Sequence, residues 1–182
     1  AMQAEIERRL TLESDLAAAL ERGELRMHAQ LQVDRNGQPV GAELLMRWQR
    51  ADGSMVPPDV FIPVAEATGL ILPIGQWALH QACLSWLQMA QAGYALPLSV
   101  NVSPSQFRQP DFVANVRKTL AETGAPASQL IFEITEGLLI DNVDSTIARM
   151  HELADIGIRF AIDDFGTGYS SLAYLKRLPL FE

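Results

Sequence analysis

IRFAIDDFGTGYSSL, residues 158–172, begins as an alternating run and changes character at two adjacent acids. Side chains on a strand alternate between two faces, so Ile158, Phe160 and Ile162 share one side and Arg159, Ala161 and Asp163 the other. The adjacent carboxylates of Asp163 and Asp164 repel each other, and a strand end that fixes them needs something to neutralise them. The same alternation recurs earlier in the chain. In LSVNVS (98–103), Leu98, Val100 and Val102 oppose Ser99, Asn101 and Ser103; in LIFEIT (130–135), Leu130, Phe132 and Ile134 oppose Ile131, Glu133 and Thr135. GAELLMRW (41–48) sets Glu43, Leu45 and Arg47 on one face, and RMHAQLQ (26–32) groups His28, Gln30 and Gln32. Each strand has one apolar face for packing and a second face bearing polar groups.

Helical patterns lie between these strands. EIERRLTLESDLAAALERGEL (5–25) predicts a helix that stops near Gly23, and RNGQ (35–38) signals a hairpin turn between the first two strands. PPDVFIPVAEATG (57–69) starts with proline and ends with glycine, as a short helix does. Further helices are expected over 74–92, 111–122 and 143–156, with SSLAYLKRL (170–178) opening another. Strands alternating with helices predict parallel βα units, and their repetition predicts an α/β fold of the (β/α) barrel type, with a doubly wound sheet as the alternative. In a barrel the helices cover the outside, so the polar faces point inward. The chain stops at LPLFE (178–182), where the next strand is due. A complete barrel of this kind needs more than about 200 residues. The expectation is therefore a single domain over 1–182, incomplete in its last strands and helices. The leading helix, 1–22, reads as a cap on the amino-terminal end of the barrel, or else as the end of a connector from an upstream domain.

The composition sets outer bounds. The 182 residues suffice for one sizeable core, with 48% hydrophobic and 20% charged residues. A net charge of -8 excludes a general binder of DNA or RNA, because no basic stripe is present to neutralise a phosphate backbone. A phosphate-ester substrate would then draw cations partly from bound metal. Cys83 is the sole cysteine, so no internal disulfide forms and a reducing, cytoplasmic setting is expected. The longest apolar stretch, GLILPIGQWAL (69–79), is too short and too interrupted to span a bilayer.

Asn101, Glu133 and Asp163 fall late in their strands, toward the carboxyl-terminal mouth where barrels keep their active sites. Three inward carboxylates, Glu43, Glu133 and Asp163, together with the Asn101 amide, are oxygen donors suited to hard divalent cations. Asp164 is placed to reach a second ion, giving a two-metal clamp for phosphoryl transfer. Taken singly, each acid also reads as a helix cap, a surface charge or a partner of Arg47 or Arg159. Their common register on successive strands is what points to metal.

The pieces QLQVD, GAELLMRW, FIPVAEATGLI, LSVNVSPSQF, FEITEG and AIDDFGTGYSSLAYLKRLP, in this order and spacing, resemble the EAL-domain family of bacterial cyclic di-GMP phosphodiesterases. The resemblance implies a modified (β/α)8 barrel whose first strand is antiparallel to its neighbour. It also implies hydrolysis of cyclic di-GMP to linear 5′-pGpG with two Mg²⁺ or Mn²⁺ ions. Glu43 then corresponds to the signature glutamate. Asn101, Glu133, Asp163 and Asp164 complete the metal ligands on these strands, with Glu43, Asp163 and Asp164 catalytic. Arg47 resembles the arginine that pairs with a substrate phosphate, and Gln30 and Leu45 line the substrate pocket. Phe165, Gly166, Thr167, Gly168, Tyr169, Ser170 and Ser171 resemble a regulatory loop that couples dimerisation to metal binding. A homodimer and an upstream sensory or diguanylate cyclase domain are the implied partners.

Two departures from the family pattern stand out. The Glu-Ala-Leu signature reads Glu43-Leu44-Leu45, and since Leu44 faces away from Glu43 the change is expected to alter packing more than chemistry. The family's later lysine, a further glutamate ligand and a late glutamine are due after LPLFE, so these 182 residues by themselves are expected to be inactive. DFG at 164–166 lacks the companion motifs of a kinase, and GTGYSS (166–171) lacks the lysine of a P-loop. The alternative function is a binding module that senses cyclic di-GMP without cleaving it.

Overall fold

The computed structural model describes residues 2–140, 142–163 and 177–180. The elements run α1 (Met2–Glu21), β1 (Leu25–Val33), β2 (Pro39–Gln49), β3 (Met55–Val56), α2 (Pro58–Thr68), α3 (Ile71–Gln91) and β4 (Leu98–Asn101). They continue with α4 (Pro104–Phe107), α5 (Phe112–Thr123), β5 (Leu130–Thr135), α6 (Glu136–Ile140), α7 (Val143–Asp155) and β6 (Arg159–Asp163).

The central sheet has the order β1-β2-β4-β5-β6, with β3 pairing off β2. β1 and β2 form an antiparallel hairpin, whereas β2, β4, β5 and β6 are parallel neighbours in sequence order. The hairpin turn is closed by Asp34, whose Oδ1 accepts from the backbone amides of Asn36 and Gln38 at 2.8 and 2.9 Å. Leu180 makes an isolated parallel bridge to Phe160, extending the same order past β6. The expected helix at 170–178 lies mostly outside the described residues.

Alternation sorts burial as the sequence predicts. In β5, Leu130, Phe132 and Ile134 are fully buried, while Ile131, Glu133 and Thr135 are half-buried. The apolar faces meet α3, α5 and α7 in one core that includes Leu44, Leu79, Val100, Phe132, Met150 and Phe160. Phe107, Phe112, Phe132 and Phe160 close a ring of edge-on and tilted contacts with centroids 5.4 to 6.5 Å apart. Each such pair contributes about 0.5–1.5 kcal/mol beyond area burial, so the ring fastens the short α4 to β5 and β6. Arg149 of α7 secures the same turn by donating to the carbonyls of Phe107 and Gln109, the latter at 3.0 Å.

A second core holds Leu16 and Ala19 of α1 against Leu25, Trp48, Phe61 and Ala65. Trp48 and Phe61 meet edge to face at 5.7 Å, and Trp48 Nε1 donates to Glu24 at 3.0 Å. This corrects the position expected for α1. Leu25 pairs with Trp48, Gln49 N donates to Glu24 O, and Arg50 pairs with Asp15 at 3.1 Å, so α1 docks at the carboxyl end of β2. Because β1 runs antiparallel, the chain enters the sheet from that end, and the helix before it cannot cap the opposite one.

Candidate active site

Strand register assembles the site. Glu43 on β2 pairs with Ser99 on β4, Asn101 on β4 pairs with Glu133 on β5, and Thr135 on β5 pairs with Asp163 on β6. All these side chains occupy the face opposite the helix-packed core. Asn101 Nδ2 donates to Glu43 Oε1 at 3.2 Å, joining residues 58 positions apart and leaving the amide oxygen as an acceptor for another group.

Glu133 is the electrostatic centre of the cluster. Burial and then the Glu43 charge push its pKa from 4.5 up to about 7, with a hydrogen bond to Glu43 and the charge of Asp163 adding to the rise. The Ser99 hydroxyl opposes the shift by hydrogen bonding to the carboxylate. Ser99 is only 4% exposed, and sequence reading placed it on the polar face without giving it a role. Its adjacency to Glu133 comes from the parallel stagger of β4 and β5, which the alternation of a single strand does not contain.

Leu45, Arg47, Asn101, Glu133, Thr135 and Asp163 line one cavity of about 400 Å³. Arg47 is half-buried there and donates through Nη1 to the carbonyl of Met46 at 3.2 Å. Gln30 pairs directly with Glu43 across the hairpin and is exposed, as is Asp163. The cavity also takes in Leu44, Val100 and Val102 from the other face of the same strands, so it passes over the strand ends into the crevice beneath α2 and α3. Leu44 itself is 2% exposed and belongs to the helix-side core. Asp164 and the loop residues Phe165, Gly166, Thr167, Gly168, Tyr169, Ser170 and Ser171 lie outside the described residues.

Among the described residues, no three acids, histidines or cysteines gather closely enough to hold a metal ion by themselves. The groups that do gather are Glu43 and Glu133 in hydrogen-bond contact, the Asn101 amide, and Asp163 close enough to act on Glu133. Hard oxygen donors with accumulated negative charge fit part of the ligand shell of a divalent cation such as Mg²⁺ or Mn²⁺.

The EAL domain family model matches residues 13–181. The chain belongs to the EAL domain family. It is 40% identical over 183 residues to the bifunctional diguanylate cyclase/cyclic di-GMP phosphodiesterase MucR of Pseudomonas aeruginosa, covering 100% of this chain and 27% of MucR. It is 39% identical over 173 residues to the cyclic di-GMP phosphodiesterase NbdA of the same organism, covering 94% of this chain and 22% of NbdA. A solved structure of the PaMucR phosphodiesterase in complex with c-di-GMP superposes with a TM-score of 0.90 at 41% identity, over 94% of this chain and 70% of that one. The EAL chain thus spans about a quarter of the length of these curated relatives and most of the barrel of the solved domain. No helix among its described residues is long and apolar enough to cross a membrane.

Proposed function

We propose that this chain is the catalytic part of a metal-dependent phosphodiesterase that hydrolyses cyclic di-GMP to linear 5′-pGpG. One observation carries the reading: Glu43, Asn101 and Glu133 from three strands form a connected acid cluster at the mouth of an EAL fold, with Arg47 lining the same cavity. MucR and NbdA, named as cyclic di-GMP phosphodiesterases, support the choice of substrate.

Glu43, Asn101, Glu133 and Asp163, with Asp164, would hold two divalent ions, Mg²⁺ or Mn²⁺. Bound there, the ions would lower the pKa of a water molecule and offset charge on the phosphate oxygens. Arg47 is the chain's own cation for a non-bridging phosphate oxygen, where a fixed charge stabilises the transition state more than the ground state. Leu45 and Gln30 would flank the bound nucleotide. We assign the loop Phe165–Ser171 to regulation by dimerisation. A sensory or diguanylate cyclase domain is the proposed covalent partner, by analogy with the two activities in MucR's name. A cytoplasmic location, where a nucleotide second messenger is made and consumed, follows from the same reading.

The test is incubation of the complete protein with cyclic di-GMP and Mg²⁺ or Mn²⁺, followed by chromatography for pGpG. The expected result is metal-dependent pGpG that Glu43→Ala abolishes. Binding of cyclic di-GMP with no pGpG under any metal would instead establish a sensor, and full turnover by Glu43→Ala would remove the metal assignment.

A further inference from the structure

Gln106 is buried to 7% exposure, yet its side-chain amide hydrogen-bonds to no described residue; its backbone amide donates to Ser103 Oγ at 3.1 Å and its backbone carbonyl accepts from Gln109 N at 3.1 Å. Its amide atoms are not among the fully enclosed polar atoms that lack a partner, so the amide opens onto a cavity and is not sealed in the core. Gln106 lines the cavity that contains Arg47, Asn101, Glu133 and Asp163, on the helix side of the strand ends. Ile62 and Glu66 of α2, Ile71, Gly75 and Ala78 of α3, and Val102 line the same cavity.

The fold makes room for this amide and then holds it. A β-carbon placed on Gly75 would sit 2.5 Å from Gln106 Cδ and 2.8 Å from Nε2, and would also collide with Oε1. Only a residue without a side chain lets the amide lie flat against α3. Ser103 caps the α4 turn, Phe107 is locked in the phenylalanine ring, and Arg149 ties down the carbonyls of Phe107 and Gln109. The loss of side-chain freedom is therefore met within the folded protein, and a ligand meets a preorganised donor and acceptor.

We propose that Gln106 is a base-recognition residue: its amide hydrogen-bonds the edge of one purine of the bound cyclic dinucleotide, and Gly75 is the clearance that permits it. This rests on the functional reading above. The phosphodiester is drawn to Arg47, and to the cations that the acids would hold, on the inner side of the strands, which leaves an attached base to occupy the crevice on the helix side. A purine fits there as a flat apolar body with a polar edge, and guanine presents N–H donors beside the O6 acceptor. One glutamine amide, with one acceptor and two donors, can meet a donor and an acceptor on that edge together. Glu66 of α2 and Ser103 line the same cavity, so the amide is one of a few polar groups set in mostly apolar walls.

The experiment measures cyclic di-GMP binding by calorimetry on the complete protein in EDTA, and hydrolysis of bis(p-nitrophenyl) phosphate, a diester without bases, in Mn²⁺. Gln106→Met keeps the length of the side chain and removes its polar atoms. It is expected to weaken cyclic di-GMP binding roughly tenfold or more, with bis(p-nitrophenyl) phosphate hydrolysis and Tm unchanged. Gly75→Ala, which displaces the amide, is expected to weaken binding as well. The double variant is expected to lose no more than Gln106→Met alone, because both changes remove one interaction. Unchanged cyclic di-GMP affinity in Gln106→Met overturns the proposal, and so does an equal loss of binding and of bis(p-nitrophenyl) phosphate hydrolysis, which marks a structural role. If the unsubstituted protein fails to bind cyclic di-GMP, both the functional reading and the base contact fall. If it binds and cleaves with indifference to Gln106, only the base contact falls.

Discussion

A carboxyl whose pKa stands near 7 exchanges its proton within the working range of a cell, and Glu133 is such a group. Its folded pKa lies above the ordinary 4.5, so the folded state holds the proton more tightly than the unfolded chain does. The resulting stabilisation is fully present below about pH 4.5 and is lost as pH rises through about 7. In EDTA, Tm is expected to fall between pH 5 and pH 8, and Glu133→Gln is expected to flatten that slope in a thermal melt. A divalent ion requires the deprotonated carboxylate, so Mn²⁺ binding at pH 6 should release a proton that binding at pH 8 does not. Calorimetry in buffers of different protonation enthalpy checks this. One position along from Glu43, Leu44 gives a contrasting case. It is 2% exposed on the helix side, so Leu44→Ala, which restores the family's own residue, is expected to cost about 2–5 kcal/mol in denaturant unfolding. Mn²⁺ affinity should be unchanged within about twofold, because the side chain points away from the acids.

At the level of elements, periodicity and punctuation carried the reading. Alternation in β2, β4, β5 and β6 separated core from cavity, and proline and glycine marked the ends of α2, because both signals are local. What depends on the relation between strands was not written in any one of them. The stagger that brings Ser99 to Glu133 and the clearance that Gly75 gives Gln106 join residues 34 and 31 positions apart, by subtraction of their numbers. β3 and α4 are two and four residues long, too short for a period to register. The docking of α1 required following the chain's direction through an antiparallel hairpin. Gly157, between α7 and β6, shows how little slack these connections have. Its φ is +104°, and a β-carbon would meet Ala127 Cβ and Ser128 N at 3.3 Å. Gly157→Ala is therefore expected to destabilise by more than about 1 kcal/mol, measured by urea unfolding, through backbone strain as well as contact.

For the whole molecule, ligand binding and folding share one free energy. Cyclic di-GMP with Mn²⁺ at a hundred times its Kd should add about 2.7 kcal/mol to stability, seen as a rise in Tm. Glu43→Gln should remove the metal-dependent share of that rise and keep the nucleotide's own. The hydrogen bond from Asn101 to Glu43 reaches across 58 residues, and Asp163 adds a contribution from farther along the chain. A register slip of one residue in any of these strands would turn its acid or amide to the helix side. The β1–β2 hairpin, which can form locally, holds only Glu43 of the four proposed ligands among the described residues, and no helix holds any of the four. Contacts of such long sequence separation form late, since loop closure precedes their reward. The proposed hydrolysis would therefore be a clock for refolding: in a renaturation time course of the complete protein, catalytic competence cannot run ahead of the parallel sheet, however early the helices return.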